Sequence, residues 1–250
     1  MGLVNEDTFV CFDCETSGLD PKRDRIVEIA GAKFTFDRII EARENLINPG
    51  IPIPRQTIEI HHITDDLVRG KPSMKEVVKD YLDFIGDHIV VGHAIPFDLA
   101  ILATEAKRAN IESGLSRQRY LDTLRLARLY GESPTNSLET LRKHFNITTD
   151  GVHHRAMSDV LVNIEVFKHL SRKFKTTEEI LKRLEKPIAL KSMPLGKHKG
   201  RPFREVPIEY LHWAVNQDFD RDFLFSLRSE LKKRRRGNQF SQAANPFSEL

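Results

Sequence analysis

The stretch Phe9–Gly18, FVCFDCETSG, decides how the rest of the chain is interpreted. It begins as an apolar strand, places two acids one residue apart, and ends in residues typical of a turn. Because side chains alternate faces along a strand, Asp13 and Glu15 point to one face of the sheet and their immediate neighbours to the other. Two adjacent carboxylates repel each other, so a divalent metal ion between them is one interpretation. An acid pair entering a turn without a metal is the other, and these residues alone leave both open.

The only two cysteines, Cys11 and Cys14, form a C-x-x-C pattern. In a strand they face opposite sides and lie roughly 10 Å apart, beyond the ~7 Å that a disulfide allows between Cα atoms. No second C-x-x-C exists to complete a zinc site. Both are interpreted as reduced residues that pack in the core.

The chain has 250 residues, 40% hydrophobic and 30% charged, which is enough for one sizeable core and a small appendage. No run approaches the ~20 apolar residues that a membrane span needs. The N-terminus shows neither the basic region nor the apolar region of a secretory signal. We therefore expect a cytoplasmic protein with no membrane segment.

The net charge of +3 is unevenly divided along the chain. Residues 186–250 hold 13 Lys and Arg against 7 Asp and Glu, a balance of +6. Residues 1–185 hold 26 against 29, a balance of −3. The basic excess at the C-terminal end favours a polyanionic partner there.

Predicted strands come first along the chain, and helices that alternate with short strands follow. After the opening strand, the pattern predicts strands at Ile26–Phe36, Ile39–Ile47, Ile89–Val91 and Tyr120–Leu121. It predicts helices at Ser73–Ile85, from Pro96 onward, from Asp122 to Tyr130, at Leu138–Phe145, and after His153–Asp159. This order is typical of an α/β fold in which helices flank a mixed sheet.

Composition divides the chain into four parts. Residues 1–175 form the main domain, and residues 176–186 are predicted to be a charged linker. Residues 187–236 are predicted to be a small, basic, mainly helical domain that opens with the turn Met193–Pro202. Its ~50 residues would be marginally stable alone. Residues 237–250 are polar and predicted to be a disordered tail.

Asp98 and Asp159 lie near predicted helix N-termini. Taken singly, each is explained by the helix dipole, which stabilises an acid there by ~0.3–1 kcal/mol. His154, taken singly, is most often a surface or hydrogen-bonded histidine. Considered together with Asp13 and Glu15, these three residues say more about function than each does alone.

Three motifs occur in order: FDCETSGL from Phe12, GHAIPFD from Gly92 and HHRAMSD from His153. Over residues 7–172 they resemble the DEDDh branch of the DnaQ-like 3′→5′ exonucleases, a family that includes proofreading epsilon subunits of bacterial DNA polymerase III. The segment LDTL at Leu121–Leu124 also matches. The segment IHHIT differs, since relatives usually have glycine where this chain has His62. The resemblance implies a ribonuclease H-like fold.

The resemblance also implies hydrolysis of 3′-terminal nucleotides of DNA, in proofreading or repair, with release of nucleoside monophosphates. It assigns two divalent ions, Mg²⁺ or Mn²⁺, to four acids: Asp13, Glu15, Asp98 and Asp159. His154 would be the general base, since an unperturbed histidine pKa of ~6.5 lies near working pH. Thr16 and His61 would contact the terminal nucleotide.

The implied partner is a single-stranded or frayed nucleic-acid 3′ end, with DNA favoured over RNA, and a DNA polymerase or sliding clamp is a further candidate. An RNA 3′-end trimming enzyme of the RNase T or oligoribonuclease type shares the same motifs. A nucleic-acid-binding or polymerase-docking subunit is the alternative from another class. Residues 187–236 resemble a small uncharacterised bacterial domain. Its basic run Lys232–Arg236 is either a phosphate-binding surface or a solvated helix end.

Overall fold

The computed structural model describes residues 3–133, 135–148 and 155–243, with side chains as far as Arg236. The chain separates into two compact units, Met1–Leu184 and Glu185–Leu250. Each unit is described by itself.

A five-stranded sheet forms the centre of the first unit, and its strand order is β3-β2-β1-β4-β5. The strands are β1 (Phe9–Thr16), β2 (Ile26–Phe34), β3 (Ile39–Leu46), β4 (Ile89–Gly92) and β5 (Tyr120–Asp122). The first three pair antiparallel, whereas β4 and β5 run parallel to β1. The predicted mixed sheet is therefore confirmed, and the acid-bearing strand lies at its middle.

Eight helices of the described residues belong to this unit or its boundary. They are α1 (Arg55–His61), α2 (Asp65–Val68), α3 (Met74–Ile85), α4 (Pro96–Arg108), α5 (Thr123–Tyr130), α6 (Leu138–His144), α7 (Ala156–Ser171) and α8 (Thr177–Glu185). Proline at the first position of α4 and Asp122 at the N-cap of α5 are as predicted.

Alternation along β1 divides its side chains between two helical layers. Phe12 and Cys14 belong to the core cluster that includes residues of α3 and α4. On the opposite face, the Asn163 amide of α7 donates to the sulfur of Cys11 at 3.4 Å. Both cysteines are free and buried, as predicted. The odd-numbered residues of β1 therefore face α7, and this face includes Asp13 and Glu15.

The main local difference from prediction lies between β3 and α2. Helix α1 was not predicted, because the prolines before it indicated a loop. Its C-cap is His62, whose φ of 61° lies in the left-handed region that favours glycine. Glycine adopts such a φ without strain, whereas His62 carries a side chain there.

Residues 176–186, predicted as a linker, instead contain α8. Ile180 and Leu184 are buried, and the Thr177 hydroxyl donates to the carboxylate of Asp7. The charged residues that suggested a linker occupy the outer face of an amphipathic helix. The compact first unit accordingly extends to Leu184.

The second unit contains α9 (Ile208–Ala214) and α10 (Arg221–Ala243) around a small apolar core. Helix α10 continues past residue 236, so residues 237–243 are helical where a disordered tail was predicted. Residues 244–250 lie outside the described part of the chain. No helix within the described residues is both long and apolar enough to cross a bilayer.

Candidate functional site

Three carboxylates meet where β1 passes the N-terminal turn of α7. Asp13, Glu15 and Asp159 each offer an oxygen within 4.8 Å of the others, and all three are half-buried. The strand period places the first two on one face, and the first turn of α7 carries the third. This arrangement of oxygen ligands is one that could hold a hard divalent cation.

Asp98 approaches the same end of β1 from α4. It is buried, and its Oδ1 accepts the backbone N–H of Cys14 at 3.0 Å. Because Cys14 lies between the two acids of β1, this hydrogen bond fixes Asp98 beside them. The structure thus brings together all four predicted metal-binding acids, three of them as a close cluster.

Burial, together with repulsion between the carboxylates, raises the pKa values of these acids. Burial raises the pKa of Asp13 well above its usual value, and the charges of Asp98 and Asp159 raise it further. Burial, with Asp159 and then Glu28, raises the pKa of Glu15 to about 7. Burial raises the pKa of Asp98 to about 8, although the N–H of Cys14 opposes the change. Because the site stabilises protons on its carboxyls, a divalent cation fits it well.

One contributor to the site was not predicted from the sequence. Glu28 of β2 is fully buried directly opposite Glu15 in the β1–β2 register. Its carboxylate accepts the Nε–H of Arg155 at 2.9 Å and the backbone N–H of Ala156 at 2.9 Å. Glu28 therefore caps α7, the helix that carries Asp159. The signal in the sequence was a single acid inside the apolar strand Ile26–Phe34.

Thr16 and His61 are both buried at the turn end of β1. The Thr16 hydroxyl donates to the carbonyl of Gly18 at 2.7 Å. His61 is 2% exposed, and its Nδ1 accepts the N–H of Ile63 at 3.0 Å. Burial lowers the pKa of His61, and the Thr16 carbonyl opposes that change. The two residues are thus neighbours, and their contact with substrate stays a prediction.

The predicted general base lies outside the described residues. His154 and the preceding His153 belong to residues 149–154, between α6 and α7. The description resumes at Arg155, one residue before α7 begins. The role of His154 therefore rests on the sequence motif.

Comparison with known proteins connects this geometry to a family. A family model described as "Exonuclease" matches residues 10–167, which include all four clustered acids. The chain belongs to the exonuclease family. It is 38% identical over 157 residues to the DNA polymerase III PolC-type of Listeria innocua. The match covers 62% of this chain and 11% of that polymerase, so the chain spans about a tenth of its relative's length.

Solved structures show the same exonuclease architecture. Exonuclease X in complex with 5′ overhanging duplex DNA is 27% identical, with a TM-score of 0.55, over 70% of this chain and 98% of that chain. The zinc-bound form of an E. coli exonuclease I–single-stranded DNA complex is 21% identical, with a TM-score of 0.61. It covers 72% of this chain and 43% of that chain, and at this identity the similarity concerns the fold alone.

The C-terminal region matches a second family model. Residues 179–227 correspond to a family described as "Putative quorum-sensing-regulated virulence factor". The matched segment begins inside α8 and ends inside α10. It contains the basic turn Met193–Pro202.

Proposed function

We propose that this exonuclease hydrolyses nucleotides from the 3′ end of DNA and releases nucleoside monophosphates. The observation that carries the proposal is the convergence of Asp13, Glu15 and Asp159 within 4.8 Å, with Asp98 fixed beside them. A sheet-end cluster of oxygen ligands in an exonuclease-family chain is suited to a metal-assisted phosphodiester hydrolase. Similarity to a PolC-type polymerase segment favours DNA as the substrate.

Two divalent ions, Mg²⁺ or Mn²⁺, are proposed as cofactors. The donor set fits them, because the ligands are carboxylate oxygens and their mutual repulsion needs positive charge. Asp13, Glu15, Asp98 and Asp159 would hold the ions. When bound, the ions would supply charge stabilisation for the attacking and leaving oxygens of an in-line displacement at phosphorus.

The chain's own residues supply orientation and proton transfer. Hydrolysis adds water across the terminal phosphodiester, breaks the bond from phosphorus to the 3′ oxygen, and requires a base for the water proton. His154 is proposed as that base from its place in the third motif. Thr16 and His61 are proposed to orient the terminal nucleotide from the end of β1.

Proofreading or repair is the proposed biological setting, and a DNA polymerase or sliding clamp is the proposed protein partner. This follows from the relation to one segment of a replicative polymerase. The same chemistry would trim RNA 3′ ends, so the test includes RNA.

The test uses 5′-labelled single-stranded DNA, duplex DNA with a mismatched 3′ end, and RNA of the same sequence. Each is incubated with Mg²⁺, Mn²⁺ or EDTA. We expect products that keep the label and shorten one nucleotide at a time, only when metal is present. Early release of the labelled 5′ nucleotide would show hydrolysis from the 5′ end and contradict the proposed direction. Hydrolysis in EDTA would exclude the metal assignment. Preference for RNA would support the trimming alternative.

A further inference from the structure

The second unit contains a groove with a volume of about 540 Å³, which we name the basic groove. Five of its lining side chains are cationic: Lys191, Arg204, Lys232, Lys233 and Arg236. They come from three separate places, one before the basic turn, one after it, and α10. A solvated helix end would present cations from one element only. Because these cations come from several elements, the groove is better explained as a binding surface for an anion.

Most of these cations have no acidic partner. In the described part of the chain, no carboxylate forms an ion pair with Lys191, Lys232, Lys233 or Arg236. Arg204 has an exposed partner, Glu205, at 3.6 Å. Unpaired cations side by side repel one another, so a bound anion would stabilise this arrangement.

The one acid that lines the groove is already neutralised. The Glu230 carboxylate accepts the Nε–H of Arg234 at 2.9 Å. The same guanidinium donates to the backbone carbonyls of Phe203 and Val206, each at 2.9 Å. Arg234 is therefore structural, and the basic run Lys232–Arg236 divides into one residue that holds the fold and others that face the groove or solvent.

The division of net charge along the chain favours the groove as a binding surface for polyanions. Residues 1–185 have a net charge of −3, and four acids crowd its active centre. Residues 186–250 have a net charge of +6. Binding to a phosphate backbone depends largely on cations that release counterions, so this charge balance favours the second unit as the place that binds a long polyanion.

We propose that the basic groove binds the phosphate backbone of single-stranded nucleic acid. The backbone's regular negative charges match several unpaired cations around one groove, and Leu190 and Pro202 give the groove apolar surface for sugars and bases. Because the two units share one chain, groove binding raises the effective concentration of the strand at the catalytic unit. The inference concerns binding and needs no metal or hydrolysis.

The test compares two double variants of the full-length chain that lose the same charge from the same helix. K233Q/R236Q removes two groove cations, whereas R228Q/R235Q removes two exposed cations that do not line the groove. Binding of fluorescein-labelled oligothymidylate is measured in EDTA from 0.1 to 1 M salt. Each lost phosphate contact makes the salt slope shallower by ~0.7. The affinity of the unchanged protein relative to that of K233Q/R236Q should therefore be about 25-fold larger at 0.1 M salt than at 1 M salt.

R228Q/R235Q should keep a slope and affinity close to those of the unchanged protein. If both variants lose the same affinity for oligothymidylate, the effect is one of general charge and the proposal of binding at the groove is wrong. The proposal is also wrong if K233Q/R236Q loses no affinity. If the protein binds a labelled oligoglutamate peptide but not oligothymidylate, the nucleic-acid proposal is wrong and an acidic protein is the partner of the groove. Metal-dependent hydrolysis of a dinucleotide reports separately on the proposed function, and K233Q/R236Q should leave it unchanged.

Discussion

At the scale of single residues, Asp13 shows the conflict between stability and function most directly. Its carboxylate lies among Asp98, Asp159, Glu15 and Glu28, and burial adds to their repulsion. Without a cation, this crowding costs folding free energy. The same crowding gives a divalent cation its binding energy, because the cation removes the repulsion that the fold maintains.

Asp13→Asn should therefore raise the thermal stability of the metal-free protein while it removes exonuclease activity. Each kcal/mol of relieved repulsion should raise Tm by ~2–4 °C for a chain of this size. Calorimetry in EDTA at pH 8 measures the first effect, and a labelled-DNA assay measures the second. Asp37→Asn, at an exposed acid between β2 and β3, is the control and should change neither. A lower Tm for Asp13→Asn would contradict the repulsion argument.

At the scale of elements, the site depends on how α7 begins. Its first residue has no side-chain cap from the preceding residue. Glu28 of the neighbouring strand supplies the cap instead, through Ala156 and Arg155. The position of Asp159, one turn into α7, follows from this contact with the sheet.

Glu28→Gln should weaken both the fold and metal binding. The amide cannot form the charge-assisted pair with Arg155, which should lower the free energy of unfolding by ~1–3 kcal/mol. Looser placement of Asp159 should weaken Mn²⁺ binding by ~10–100-fold. Calorimetric unfolding and Mn²⁺ titration measure the two effects. Glu112→Gln, at an exposed acid that follows α4, is the matched control. Unchanged Mn²⁺ affinity in a destabilised Glu28→Gln protein would limit Glu28 to a structural role.

At the scale of the whole molecule, the acid cluster makes stability depend on pH. Folding raises the carboxyl pKa of Glu15 to about 7 and of Asp98 to about 8, so the folded state holds protons that the unfolded state has released. The stability that comes from these protons is present at low pH and is lost as pH rises through the folded pKa values. The half-buried His93 acts in the opposite sense, since its burial lowers its pKa to about 4. Its effect is complete once pH exceeds ~6.5.

The metal-free protein should therefore lose stability between pH 6.5 and 8, and divalent metal should reverse that loss. In EDTA, Tm should fall across this range, whereas the Tm increase caused by Mn²⁺ should grow, because metal replaces protons on the carboxylates. Calorimetry at several pH values with and without Mn²⁺ measures both. A metal-free Tm that rises from pH 6.5 to 8 would contradict the assigned carboxyl pKa shifts.

The sequence by itself determined those features that depend on local periodicity. A strand period of two placed Asp13 and Glu15 on one face, and Pro96 predicted where the helix bearing Asp98 begins. The spacing of the three motifs identified the family, which the comparisons confirm. The role of His154 stays a prediction from its motif.

Tertiary structure alone decided how these parts meet. The contact between Glu28 and Arg155 joins residues 127 positions apart, and no local pattern encodes it. The segment predicted to be a linker contains helix α8, because Ile180 and Leu184 pack into the interior of the protein. Periodicity reports which face a side chain occupies, whereas the partner on that face depends on packing between distant elements. The sequence marked the acids of β1 as candidate metal ligands, and the packing of α4 and α7 against the same strand placed Asp98 and Asp159 beside them.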